Sequence, residues 1–218
     1  MGKHCGCRQQ HQRRRIVLTG GPGAGKTAVL ELLRHSLCEH VTIVPEAAGI
    51  VFGGGFPRRD DLAGRQAAQR AICHIQRELE DLATASGIPI QLCDRGMPDG
   101  AAYWAGEGTL WEAVGIDRAE AMARYDAVVH LRVPGDENGY GHQNPLRVEN
   151  ALQARAIDDR ILAAWNGHPR RIVIEASPDF FEKTRLALEA IRKELPPCCQ
   201  SHVDQTALRE EAHHVLAT

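Results

Sequence analysis

The feature that most constrains the fold is the run Gly20-Gly21-Pro22-Gly23-Ala24-Gly25-Lys26-Thr27. It reads G-x-x-x-x-G-K-T. Before it stands the short apolar run Ile16-Val17-Leu18, and after it Ala28, Val29, Leu30, Leu32 and Leu33 recur at helical spacing. A buried strand, a glycine-rich turn and a helix in that order make a phosphate-binding P-loop. Glycines let the backbone curl so that successive N–H groups face phosphate oxygens. Lys26 is placed to reach the β- and γ-phosphates, and the Thr27 hydroxyl to ligate Mg²⁺. The helix start adds a dipole that favours anions. Gly20, Gly21, Pro22, Gly23, Ala24, Gly25, Lys26, Thr27 and Ala28 are therefore the expected nucleotide site.

The chain has 218 residues, enough for one domain with a sizeable core. A net charge of -2 gives no overall basic field for nucleic acid. No apolar run is long enough to span a bilayer, and no signal-peptide pattern is present. A cytoplasmic location is expected, where the seven cysteines would stay reduced. His4, Cys5, Cys7 and His11 offer a metal pattern, but one C-x-C without a second pair is weak. Cys198-Cys199 with His202 reads as a partial metal site, a redox pair or ordinary thiols. Adjacent cysteines rarely share one metal, which favours ordinary thiols.

Residues 1–14 form a basic tail, expected to be disordered. The domain is expected over 15–195, with a C-terminal tail over 196–218. A second strand covers Val41 to Val44 and ends at Pro45-Glu46. Gly53-Gly54-Gly55-Phe56-Pro57 marks a flexible loop. Asp60 or Asp61 caps a long helix reaching about Ser86, with an apolar stripe of Ala67, Ala71, Ile75, Leu79 and Leu82. Its glutamines, Gln66, Gln69 and Gln76, read as solvated. A third strand, Ile88 to Cys93, delivers Asp94-Arg95-Gly96. Helices are expected through Tyr103 and over Ala119 to Arg124, then a fourth strand over Ala127 to Val133. Pro134 to Pro145 is rich in Gly, Asn and Asp. A helix from about Arg147 to Trp165, a strand over Arg171 to Glu175 and a helix over Phe180 to Leu195 close the pattern. Alternating strands and helices imply an α/β fold with a parallel sheet covered on both faces. Ligands gather at the carboxyl ends of such strands. Gly20, Glu46, Asp94 and the loop after Val133 converge there.

Asp94 follows an apolar strand and is expected to hold Mg²⁺ opposite Thr27; the alternative is a helix cap. Arg95 is a candidate for phosphate or acceptor oxygens, or else a surface ion pair. Asp99 and Tyr103 either orient a substrate hydroxyl or buttress Arg95. Glu46 either accepts a proton from an attacking hydroxyl or faces water. Arg147 is the candidate to close over the phosphates, an arginine finger supplied in cis. Arg155 and Arg160 lie on the same helix and can pair with Glu149 or Asp158.

Three segments together resemble the small AAA-type ATPase/kinase domain that includes the kinase part of NadR and the TRPL translocation defect proteins. They are Gly20 to Thr27, Val44-Pro45-Glu46-Ala47-Ala48, and Asp94-Arg95-Gly96-Met97-Pro98-Asp99-Gly100-Ala101-Ala102-Tyr103. Gln69-Arg70-Ala71-Ile72, with Gln76 and Glu80, and Tyr125-Asp126-Ala127-Val128 fit the same pattern. Arg147-Val148-Glu149 resembles its lid. The resemblance covers about residues 15–195. It implies a three-layer P-loop NTPase fold with five parallel strands in the order 2-3-1-4-5. It also implies ATP or GTP with Mg²⁺, and an acid after the second strand serving as base, as in deoxynucleoside kinases. The chain departs from the family in two ways. No adenylyltransferase domain stands beside the kinase part, and the stretch Pro134 to Pro145 matches the lid only loosely. The acceptor is left unassigned.

Two functions follow as expectations. One is a nucleoside-like kinase with nucleotide at Gly20 to Thr27, Mg²⁺ between Thr27 and Asp94, Glu46 and Arg95 on the acceptor side, and Arg147 as lid. In that reading Ser177, in the turn Ala176-Ser177-Pro178, packs the nucleotide base. The other is a nucleotide-dependent switch or ATPase without a small-molecule acceptor. No N-K-x-D stretch is present, which favours adenine over guanine.

Overall fold

The computed structural model describes residues 5–134 and 151–203. Five strands alternate with helices: β1 Arg14–Thr19, α1 Lys26–Ser36, β2 Val41–Val44, α2 Ala47–Gly53, α3 Leu62–Ala85 and β3 Ile90–Asp94. After a 3₁₀ segment, Met97–Tyr103, come α4 Leu110–Val114, α5 Arg118–Ala123 and β4 Ala127–Leu131. The chain then forms α6 Ala151–Ala164, β5 Arg171–Ile174, α7 Phe180–Glu194 and α8 Pro197–Gln200. The sheet is parallel throughout, in the order β2-β3-β1-β4-β5. The expected α/β fold and strand order are those found.

Burial on both faces explains why the strands read as continuous apolar runs. Ile16 and Leu18 of β1 pack on one side with Leu33 of α1 and Ile191 of α7. Val17 packs on the other with Ile161 of α6 and Trp165 just beyond its end. Each such fully buried side chain contributes roughly 1.5–3 kcal/mol of transfer free energy. Register aligns the strand ends: Leu18 pairs with Asp94, Thr19 with His130, and Val44 with Cys93. The carboxyl ends thus form one edge, from which the P-loop, Glu46 and Asp94 emerge.

The long helix α3 is capped by Asp61, whose carboxylate accepts from the Gly64 N–H at 2.9 Å. Its buried face corrects the expected apolar stripe. Leu82 is 70 % exposed and Ile75 is exposed too, whereas Gln76 and Glu80 are 3 % and 0 % exposed. Glu80 is satisfied inside: it accepts from Tyr125 at 2.7 Å, Gln76 at 3.1 Å and Arg124 at 3.1 Å. Paired in this way, a buried carboxylate avoids most of its desolvation cost. Gln76 is therefore not solvated, and Gln66 donates to the Ala105 carbonyl at 2.9 Å. Helix α2, just ahead of the glycine-rich stretch, and α4, with a Thr109–Glu112 capping box, were not expected.

Candidate functional site

Gly20 to Gly25 carry the chain from β1 into α1. Gly20 has φ 137° and Gly25 φ 95°, both in the region that favours glycine. A Cβ on Gly20 would lie 2.1 Å from the Leu131 carbonyl oxygen, so the loop is pressed against the end of β4. Lys26 is buried and folds back on the loop, donating to the carbonyls of Gly20 and Gly21 at 2.8 and 2.9 Å. Burial lowers its ammonium to about 8, with Arg95 pushing the same way.

Arg95 is in the left-handed region at φ 70°, the one non-glycine residue so placed among the described residues. Such backbone costs about 1–3 kcal/mol and persists where surrounding contacts over-determine it. Those contacts are visible. Arg95 donates to Glu46 at 2.5 Å, to Asp99 at 3.1 Å and to the Gly20 carbonyl at 3.2 Å. Asp99 also accepts from Thr19 at 2.6 Å and from the Trp165 indole at 2.6 Å. Asp99 is therefore the buttress of Arg95. Glu46 stands at the N-terminus of α2 without capping it. Burial pulls its carboxyl upward, but Arg95 and Lys26 outweigh that and hold it below the usual range.

These groups line one cleft of about 590 Å³. Pro22, Gly23, Lys26 and Thr27 line it at the P-loop end. Beyond Glu46, Asp94 and Arg95 it continues between α2, α3 and the 3₁₀ segment, past Phe52, Gln69, Ile72 and Tyr103. A family model described as an AAA domain matches residues 15–183. The chain belongs to this AAA-domain family. A search of the curated proteins finds no match. Membership in the AAA-domain family, with a P-loop NTPase fold, implies nucleotide binding, typically with Mg²⁺.

The AAA-domain cleft suits a divalent cation. Asp94 has a buried oxygen with no hydrogen-bond partner among the described residues. Burial pushes its carboxyl up to about 6; Glu46 and Asp99 add to the rise, and Lys26 and Arg95 oppose it. Thr27 lines the same cleft and is exposed to it. A hard cation takes oxygen ligands of this kind.

Two residues that sequence reasoning did not assign to the site hold the AAA-domain P-loop in place. Asp158 of α6 accepts from the Gly21 N–H at 2.8 Å, from His130 at 2.9 Å and from the Val133 N–H at 3.1 Å. Lys183 of α7 donates to the Ala24 carbonyl at 2.8 Å and to the Arg132 carbonyl. Ser177 accepts from the Asp179 N–H at 3.1 Å in the turn before α7. It is Phe180 that reaches the P-loop: a Cβ on Gly25 would sit 3.1 Å from its ring. Arg155 and Arg160 are exposed on α6. Arg147, the expected lid arginine, lies outside the described residues, as do residues 135–145 of the stretch matched loosely to the lid.

Proposed function

We propose that this chain transfers the terminal phosphoryl group of ATP to a hydroxyl on a small acceptor, as a nucleoside-like kinase of the cytoplasm. The observation that carries the reading is the cleft itself. It extends past the P-loop end into a chamber walled by apolar and polar side chains, with a carboxylate–arginine pair at the junction. Its volume falls within the range of small-molecule sites. An ATPase without an acceptor needs no such chamber.

In this reading the loop N–H groups and Lys26 hold the phosphates. Thr27 and Asp94 would hold Mg²⁺, which neutralises charge on the phosphates when bound. Glu46, kept ionised by Arg95 and Lys26, receives the acceptor proton. Arg95 holds Glu46 in place and offers its remaining donor edge to acceptor or phosphate oxygens. Arg147 closes the lid, and Ser177 with Phe180 flanks the base. The test is a panel of nucleosides and related hydroxyl compounds with ATP and Mg²⁺, reading ADP release over an acceptor-free blank. Acceptor-stimulated release that is lost in Glu46→Gln supports the kinase. Tight nucleotide binding with no stimulation by any acceptor would assign the chain instead to the switch or ATPase class.

A further inference from the structure

Five of the chain's seven cysteines meet at one place far from the P-loop. Arg14 and Val41 both pair with Ile90, so the residues just before β1 and β2 lie at the amino edge of the sheet. The end of α7 is tied to that edge, since Arg14 donates to the Glu194 carbonyl at 2.7 Å. Three stretches distant in sequence therefore converge: Cys5-Gly6-Cys7, Cys38-Glu39-His40 and Cys198-Cys199.

We propose that Cys5, His40, Cys198 and Cys199 bind a zinc ion that staples the N-terminal segment to the α8 segment. One ligand atom from each of the four lies within 4.8 Å of the others. A tetrahedral ion with Zn–S of about 2.3 Å and Zn–N of about 2.0 Å needs S–S edges near 3.8 Å and S–N edges near 3.5 Å. The Cys198–Cys199 sulfur separation is 3.6 Å, and Cys199 Sγ lies 3.7 Å from His40 Nδ1. Adjacent cysteines usually point apart, but at the start of α8 both thiols turn to the same side. Cys5 precedes Gly6, whose φ is 63°, in the left-handed region that favours glycine. Its thiol lies 3.4 Å from the Cys198 carbonyl oxygen.

Thiolate and imidazole donors select zinc over the hard magnesium of the nucleotide site. Binding balances as one Zn²⁺ in and three thiol protons out to solvent, with His40 neutral; no oxidant is involved. Cys7 and His11 also stand within 4.8 Å of Cys198, His11 Nε2 being 3.1 Å from its sulfur.

The experiment uses the full chain without an affinity tag, purified with reductant and no chelator. Metal content by mass spectrometry is expected at about one zinc per chain. Replacement by cobalt(II) should give the intense visible absorption of a tetrahedral thiolate site. Cys198→Ser/Cys199→Ser should lose the metal while still binding ATP, which reports its folding. If that protein does not fold, Cys5→Ser and His40→Gln serve singly. Each should weaken zinc affinity by more than ~10–100-fold, the cost of losing even an outer partner. Wild-type protein that neither carries zinc nor takes it up overturns the proposal. So does zinc retained in the double variant.

Discussion

Arg95 donates to Glu46 at 2.5 Å and so joins the ends of β3 and β2 across the floor of the cleft. The pair is lopsided. Arg95 is also held by Asp99 and the Gly20 carbonyl, whereas among the described residues Glu46 hydrogen-bonds to Arg95 alone. Losing the Glu46 charge should therefore leave the arginine in place.

On that basis Glu46→Gln should bind nucleotide nearly as wild type does, because the P-loop makes those contacts. Phosphoryl transfer should fall ~10²–10⁴-fold, the usual contribution of a positioned base. The lower end is expected, since phosphoryl transfer leans mainly on positioning and charge. Single-turnover transfer and nucleotide binding are measured on the same protein. Equal transfer rates would remove Glu46 from the mechanism.

Asp94→Asn should do two opposite things. The native carboxyl is raised to about 6 from 3.8, mainly by burial. Below pH 3.8 the protonated acid is buried without penalty. The penalty grows as pH rises from 3.8 to about 6 and is complete above that. The amide never ionises, so the metal-free variant should be more stable than wild type above pH 6, on the order of 1–3 kcal/mol. The gap should close near pH 4. Mg²⁺ dependence of nucleotide binding should weaken in the variant at the same time. Urea unfolding across pH and a magnesium titration read the two effects. A variant less stable at pH 7 with an unchanged magnesium midpoint would show Asp94 to be a structural acid.

Much of this was legible in one sequence, and the exceptions share a cause. The strands stood out as apolar runs, α1 through the spacing of its apolar residues and α3 through its cap. The P-loop, Glu46 and Asp94 fell at strand ends, where the topology gathers ligands. The buried face of α3 did not show, because Glu80 is satisfied by Tyr125 and Arg124, which lie far along the chain. Asp158 and Lys183 did not show either. They grip backbone groups of the P-loop, and no spacing of side chains encodes such a contact.

Lys26→Ala should abolish nucleotide-dependent activity with the fold intact. The ammonium is a buried point charge held over the loop by two carbonyls, at the start of α1 where the phosphates would sit. Removing one such stabiliser of developing charge costs on the order of 10²–10³-fold in rate. Circular dichroism checks the fold, and turnover with ATP checks the role. Wild-type affinity and turnover in this variant would contradict the P-loop reading.

Asp158→Asn probes whether α6 sets the shape of the P-loop. The carboxylate accepts from two backbone N–H groups, Gly21 on one oxygen and Val133 on the other, and the first oxygen also faces His130. An amide has one acceptor oxygen, so one buried N–H must lose its partner. Leaving such a donor unsatisfied costs about 1–3 kcal/mol. If the nitrogen turns toward Gly21, it meets a donor and pushes the loop away from α6. If it turns toward Val133, the end of β4 shifts instead and carries the loop against which it packs. Either way stability should fall by that amount, and nucleotide affinity should fall with it although Asp158 does not line the cleft. Denaturant unfolding and nucleotide titration of the same variant give the two numbers. Lower stability with unchanged affinity would make Asp158 a core residue only, and no change in either would mean that the loop keeps its shape without it.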